Sequence, residues 1–337
     1  MNVLVNGIGN IGSTLLGLLK RYQKDLSIEV IYALKNNLKP WQSEDIECIE
    51  KMGITILSNN GEHGINIDAI KDEIHYIFDT TNNGGGISNK AFYMSFKNLI
   101  GASAQGSEKS FGVSYMSGVN NNIIKNEKFA HIVSCNTHSL TSILKTFTGE
   151  SLNNLDHADF VVVRRSEDIG NHERLVSANV VARHLDNSLG THHSIDVVDL
   201  FKTTGINVDV TSSDITTPSQ LMHGVRFNIK LKEEISNKDI YEYINSNQLI
   251  SSSIKFDSNA IFERGRRQSF QGRIYSHAII IENNILIKNC KIIGWAFIPQ
   301  EGNTLLSTIN AFLLQTKNKK ESHIMQLLFK DLIFKRW

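Results

Sequence analysis

Cysteine and proline are both scarce in this sequence, three of each in 337 residues. Cys48, Cys135 and Cys290 stand far apart and form no C-x-x-C pair, so neither a zinc ribbon nor a thioredoxin-type site is written here. A low, odd count argues against a secreted disulfide framework and points to a reducing cytoplasm. No apolar run reaches the ~18 residues that a membrane span needs. The opening MNVLVNGIGNIG enters a strand-and-turn pattern with no basic stretch and cleavage site before it, so no signal peptide is expected. Neither sign of charge is in surplus: 35 basic against 34 acidic side chains leave a net charge of +1. Such a balance supplies no drive toward nucleic acid or a membrane surface, and neither is expected as a partner. Low-complexity linkers and internal repeats are missing too.

What is present is ordinary globular material, 41% apolar and 20% charged. The length implies two domains, each able to bury a core. Val3 to Val5 read as a strand that runs into Gly7-Ile-Gly9-Asn-Ile-Gly12, and Leu15, Leu16, Leu18 and Leu19 then form a helical stripe. Further strands are expected at IEVIYAL (28–34), DEIHYIFDTT (72–81), FKNLIGAS (96–103) and HIVSCNT (131–137). Strands alternating with helices imply a parallel, doubly wound sheet. The second half reads as longer, β-branched strands: 158–166, 195–201, 207–216, 224–232 and 277–297. One helix is expected at 236–246, capped by Ser236 or Asn237, and apolar residues at helical spacing begin again at Asn303 or Thr304.

The spacing Gly7-x-Gly9-x-x-Gly12 after a first strand is the dinucleotide-binding pattern. Its first glycine permits the tight turn, its second lets backbone approach a pyrophosphate, and its third lets helix and strand pack closely. The fold class is therefore α/β: a Rossmann doubly wound parallel sheet over 1–135, then an α+β domain with a mostly antiparallel or mixed sheet over 136–302. A C-terminal helix over 303–337 is expected to dock back on the first domain. The second strand ends in Leu34-Lys35-Asn36 without the acid that selects NAD. Lys35 suits a 2′-phosphate, so NADP is favoured over NAD.

Cys135 falls where the first domain ends and a helix begins. Helix N–H groups there favour a thiolate and supply donors for an oxyanion, although a buried cysteine is also often mere packing. A nucleophile needs a base, and His192, His193 and His223 have the most polar surroundings. Arg164-Arg165, and Arg264, Arg266 and Arg267 further on, are candidate oxyanion clamps or surface charge clusters. No metal is expected, since only the adjacent His192-His193 approach ligand spacing.

In order along the chain, NGIGNIGS, AQGSEKS (104–110), VSCNTHSL (133–140), VVVRRSED (161–168), THHSIDVV (191–198), PSQLMH ending at His223 and PQEGN (299–303) converge on one family. The chain resembles the archaeal-type (type II) phosphorylating glyceraldehyde-3-phosphate dehydrogenases. The resemblance implies that Cys135 attacks an aldehyde, that hydride passes to NAD(P), and that phosphate releases the thioester as an acyl phosphate. It implies His223 as base and Asn136 as an oxyanion holder. Ser134, Thr137, Arg164, Arg165, His192 and His193 lie on the blocks it assigns to substrate and phosphate. Gly7, Gly9, Asn10, Ile11, Gly12, Lys35, Asn36 and Gly106 lie on those for the cofactor. It also implies small-molecule partners, a phosphorylated aldehyde and inorganic phosphate, and a homotetramer.

Several positions depart from the family pattern. Ser13-Thr14 replace a Lys-Arg pair, Thr137-His138-Ser139 replace Thr-Thr-Gly, Val225 replaces a second histidine, and Asn82 to Gly86 replace a Lys-Lys segment. These departures leave open another phosphorylated aldehyde or a semialdehyde as substrate, or a paralogue that binds a dinucleotide without turnover.

Overall fold

Val3, Leu4 and Val5 are wholly buried because β1 (Asn2–Asn6) lies in the interior of a sheet. The computed structural model describes residues 1–39, 42–106, 108–166, 180–218 and 221–337. Glu167 and Asp168 of the VVVRRSED run, Ser107 of AQGSEKS, and Ser219 and Gln220 of the PSQLMH run lie outside the described residues. Two compact units result: Met1–Val133 with Leu305–Gln326, and Ser134–Thr304 with Leu327–Trp337. Among the described residues no helix is long and apolar enough to cross a membrane.

The first unit alternates strand and helix. After β1 come α1 (Asn10–Arg21), β2 (Val30–Leu34), α2 (Ser43–Lys51), β3 (Thr55–Ser58), β4 (Ile65–Asn66) and β5 (Tyr76–Asp79). Then follow α3 (Gly85–Met94), β6 (Gly101–Gln105), β7 (Val113–Tyr115), α4 (Asn121–Ile124) and β8 (Phe129–Ile132). The strands form an eight-stranded parallel sheet in the order β4-β3-β2-β1-β5-β6-β8-β7. Chain direction across the sheet reverses at β1, so a crevice opens at the carboxyl ends of β1 and β5. The expected strand at 96–103 starts only at Gly101, because Phe96 and Leu99 turn into the core while Asn98 donates to the Asp72 carbonyl at 2.6 Å.

The second unit holds α5 (Cys135–Thr148), β9 (Leu155–Arg165), β10 (Val181–Arg183), α6 (His192–Lys202), β11 (Val210–Thr217), β12 (His223–Leu231) and α7 (Asn237–Ser246). It continues through β13 (Ile250–Ser253), α8 (Ser258–Gln268), β14 (Ala278–Ile281), β15 (Leu286–Lys288) and β16 (Lys291–Ile298). Its mixed sheet runs β10-β11-β9-β12-β16-β14-β13, with β15 paired to β16. The α/β class and the split into a parallel and a mostly antiparallel sheet follow the sequence reading. Ser236 closes a capping box with Asp239 at the start of α7.

Two readings of this half are corrected. IDVVDLF (195–201) is not a strand but most of α6, because Val197, Leu200 and Phe201 sit at helical spacing and all three are buried. The apolar stretch 277–297 is three strands, not one. Asn289 and Cys290 both take positive φ, 51° and 58°, and form a two-residue hairpin turn between β15 and β16.

The expected terminal helix is two helices, α9 (Leu305–Gln315) and α10 (Glu321–Leu332). Every residue of α9 is buried within the first unit. Gln315 locks it there, accepting from Tyr76 at 2.6 Å and donating to the Glu127 carbonyl at 2.8 Å. The final residues belong to the second unit, where Trp337 N donates to Ser252 O at 2.8 Å and Ser252 N to Lys335 O at 2.9 Å.

The third glycine of the opening turn has a steric reason. A methyl group on Gly12 would overlap the Gly7 carbonyl and stand 2.6 Å from Thr80 Oγ1. Gly12→Ala should therefore lose about 1–3 kcal/mol of stability, the usual scale of overpacking, as read by urea denaturation of the full chain.

Candidate functional site

Cofactor positions come first, since the sheet builds them directly. Gly7 adopts φ 95°, and its N–H donates to Leu34 O at 3.1 Å, which ties the ends of β1 and β2 together. Gly9 is the N-cap of α1 and brings no capping side chain. No acid stands in the first turn of that helix, and nothing lies within 4 Å of where a Gly9 Cβ would be. Asn10, Ile11 and Gly12 follow as the first helical residues, so their end of the dipole is open to an anion. The other helix start at this edge is closed. Glu108, 1% exposed, accepts from the backbone N–H of Gly84 and, at 2.9 Å, of Ile87 at the start of α3.

A cleft of about 580 Å³ opens beside the turn, lined by Asn6, Gly7, Lys35, Asn36, Thr81 and the Asn82–Gly85 run among others. Burial, and then the charge of Lys39, lower the pKa of Lys35 from its ordinary value. The Asn36 side chain accepts from Asn59 N at 2.8 Å and fixes the neighbouring loop. Below the cleft, buried Asp79 accepts from Thr81 N at 3.0 Å, from Asn89 at 3.1 Å and from Tyr93. Tyr93 in turn accepts from Asn6 at 2.6 Å. Gly106 sits at the end of β6, and its carbonyl is held by the His131 ring.

In the second unit Cys135 is the first residue of α5, a partly exposed thiol outside any disulfide. Ser134 is the N-cap: its hydroxyl accepts from Thr137 N at 3.2 Å and lies 2.9 Å from Thr137 Oγ1. Such a cap is worth about 1 kcal/mol. Thr137 is wholly buried, so these two residues shape the helix start. The carbonyl of Cys135 accepts from Ser139 Oγ and from Asn303 Nδ2, both at 3.0 Å. His138 and Ser139 are wholly buried as well. His138 stands edge-on to His277 at 4.8 Å, and Ser139 donates to the His277 carbonyl. Val225 is 0% exposed on β12. Three of the departures from the family pattern are thus packing positions.

Asn136, next to the thiol, is 3.4 Å from His193 Nδ1, and His193 Nε2 is 3.6 Å from Asp214 Oδ2. Arg164, at the end of β9, lies 3.5 Å from the same oxygen. Thr191 and Ser194 both bond Ser212 of β11, which fixes α6 and hence its histidines against the sheet. Burial would raise the Asp214 pKa, but the nearby His193 ring and the charge of Arg164 leave it below the ordinary value. Burial, then the neighbouring His193, pull His192 down to about 4.

His223 opens β12. Its Nδ1 accepts from Arg165 N at 3.0 Å, so its neutral ring carries the proton on Nε2 and, with the Gln300 amide turned over, donates it to that amide's oxygen. Burial first, then the charges of Arg165 and Arg164, hold His223 well below its usual pKa. Arg165 does not face outward. Its guanidinium donates to Leu221 O at 3.0 Å and pairs with Glu301, and both side chains are buried. Losing one partner of such a pair costs about 3–5 kcal/mol. Arg266 and Arg267 pair with Glu263 on the exposed face of α8, away from any such cluster.

The sequence reading missed Asp214, Gln300, Glu301 and Asn303. The last three sit in the PQEGN run, whose polar composition between a strand and a helix was the available signal.

A parallel sheet of this order with a glycine turn at its reversal defines a Rossmann-type unit, here joined to a mixed-sheet unit that carries a cysteine at a helix start. No family model matches the chain. Along nearly its whole length it is similar to archaeal proteins named glyceraldehyde-3-phosphate dehydrogenase. One from Saccharolobus solfataricus is 24% identical over 98% of this chain and 97% of its own length. One from Sulfurisphaera tokodaii is 26% identical over 92% and 91%, and one from Saccharolobus islandicus 23% over 94% and 93%.

Three depressed histidines give a pH signature. His192, His223 and His277 stay neutral in the fold, with burial the first cause in each. Unfolded, they protonate near pH 6.5, so the unfolded chain binds more protons and stability falls as pH drops below about 6.5. Urea denaturation between pH 7 and 5 should show this loss. His277→Asn should reduce the slope by up to about 1.4 kcal/mol per pH unit.

Proposed function

We propose that this protein is a phosphorylating glyceraldehyde-3-phosphate dehydrogenase acting in the cytoplasm. The observation that carries the reading is Cys135 at the first position of α5, beside the Asn136–His193–Asp214 chain, in a sequence similar end to end to proteins of that name. The Cys135 thiolate attacks the aldehyde carbon, and Asn136 donates to the resulting oxyanion. The Gly7–Gly12 turn would hold NADP or NAD, which would supply the hydride acceptor for the hemithioacetal carbon. The base that took the thiol proton returns it to the oxyanion and removes it again as hydride leaves, which leaves a thioester on Cys135. Inorganic phosphate then attacks the thioester carbonyl, and the C–S bond breaks to give 1,3-bisphosphoglycerate and the free thiolate.

The family resemblance assigns the base to His223. Both nitrogens of that ring face protein groups, Arg165 N and Gln300. A second assignment is His193, which stands beside Asn136 with Asp214 3.6 Å away and whose two nitrogens face protein groups as well. Arg164 and His192 supply the anion contacts in either case, joined by His193 when His223 is the base, and Arg165 positions its strand end through Glu301. Lys35 beside the cleft supports NADP over NAD. The reading includes a homotetramer, supported by the open face of the second sheet. There partly buried Val161 and exposed Trp295 flank Arg226 across three strands.

Purified protein given glyceraldehyde 3-phosphate, phosphate and NADP should form NADPH. Cys135→Ser should lower kcat more than about 10³-fold while cofactor binding persists, and an active Cys135→Ser sinks the mechanism. His223→Asn and His193→Asn, compared in their pH–rate profiles, identify the base. Lys35→Ala should raise KM for NADP about tenfold or more, the scale of one hydrogen bond to a charged group, with little change for NAD.

A further inference from the structure

The histidine pair offers two imidazoles, and the fold adds a carboxylate from another element. One ligand atom each of His192, His193 and Asp214 lie within 4.8 Å of one another. The two rings are 3.9 Å apart between centroids. Both His193 and Asp214 are almost wholly buried, and His193 Nε2 and Asp214 Oδ1 have no hydrogen-bond partner. A buried imidazole nitrogen without a partner, aimed at a carboxylate 3.6 Å away, is a costly arrangement unless something joins the two.

We propose that His192, His193 and Asp214 form a binding site for a divalent transition ion of the zinc class. Two imidazole nitrogens and one carboxylate oxygen are three of the four ligands of a tetrahedral zinc site, and water or an anion supplies the fourth. The outer partners suit the ligands. Asn136 faces His193 Nδ1 at 3.4 Å, and its buried Oδ1 has no partner. Turned over, the amide accepts from Nδ1–H and leaves the Nε2 lone pair for the ion. Arg164, one-third exposed and 3.5 Å from Asp214, is the competing cation that neutralises the carboxylate when no ion is present. The site is argued from this geometry and not from turnover, and it shares His192 and His193 with the reaction proposed above.

The test uses the full chain, stripped with a chelator and titrated with cobalt(II) followed by visible absorption, then with zinc(II) by calorimetry. One ion per chain is expected, with the absorption of a tetrahedral nitrogen and oxygen site and no intense thiolate band. Asp214→Asn and His193→Gln should each weaken binding at least about tenfold, whereas Arg164→Gln should tighten it by removing the competing charge. Arg164→Gln decides the matter if the other variants fail to fold. Absence of binding overturns the proposal. So does binding that survives Asp214→Asn but disappears in Cys135→Ser, because the thiol would then hold the ion.

Discussion

The carbonyl oxygen of Cys135 accepts two hydrogen bonds, and the second unit's chemistry is arranged around that acceptor. Ser139 reaches it from one turn along α5, and Asn303 from the polar run after β16. Asn303 also donates to the His277 carbonyl at 3.1 Å, so helix, sheet and loop are joined at a single amide. With the first turn fixed, the Cys135 sulfur and the Asn136 amide have little freedom. Asn136 meets His193, and His193 meets Asp214.

Within the first unit the comparable constraint is electrostatic. Two helix starts stand near the carboxyl ends of the central strands, and each attracts negative charge. At α3 the chain supplies its own anion, Glu108, which holds the asparagine- and glycine-rich run in place. At α1 it supplies none, and the glycine turn leaves the backbone bare. That difference leaves the start of α1, unlike that of α3, open to an anion, and the Asn82–Gly85 run forms part of the wall of the neighbouring cleft. Asp79, Tyr93 and Asn6 then link the strand ends beneath it.

Local pattern carried far where it was periodic. The glycine spacing, the stripe of Leu15 to Leu19 and the Ser236 cap were all legible, because each is a short-range steric or hydrogen-bonding requirement. IDVVDLF misled because its β-branched residues suggest a strand while its buried positions recur at helical spacing. The Asn289–Cys290 turn was hidden because cysteine seldom takes positive φ, and only the β15–β16 pairing imposes it. Arg165 looked like an anion clamp, yet its charge meets Glu301, from a loop distant in sequence.

By itself the sequence determined the α/β class, the nucleotide turn, Cys135 at a helix start, and the order of the arginine and histidine blocks. These depend on spacing along the chain, which residues carry with them. Only the tertiary structure decided which polar groups face one another: Asp214 behind His193, Glu301 on Arg165, Gln300 on His223. It also turned His138, Ser139 and Val225 inward. The physical reason is that burial makes an unpaired charge or hydrogen-bonding group expensive. Partners are therefore chosen by proximity in the folded core, across separations that no local pattern records.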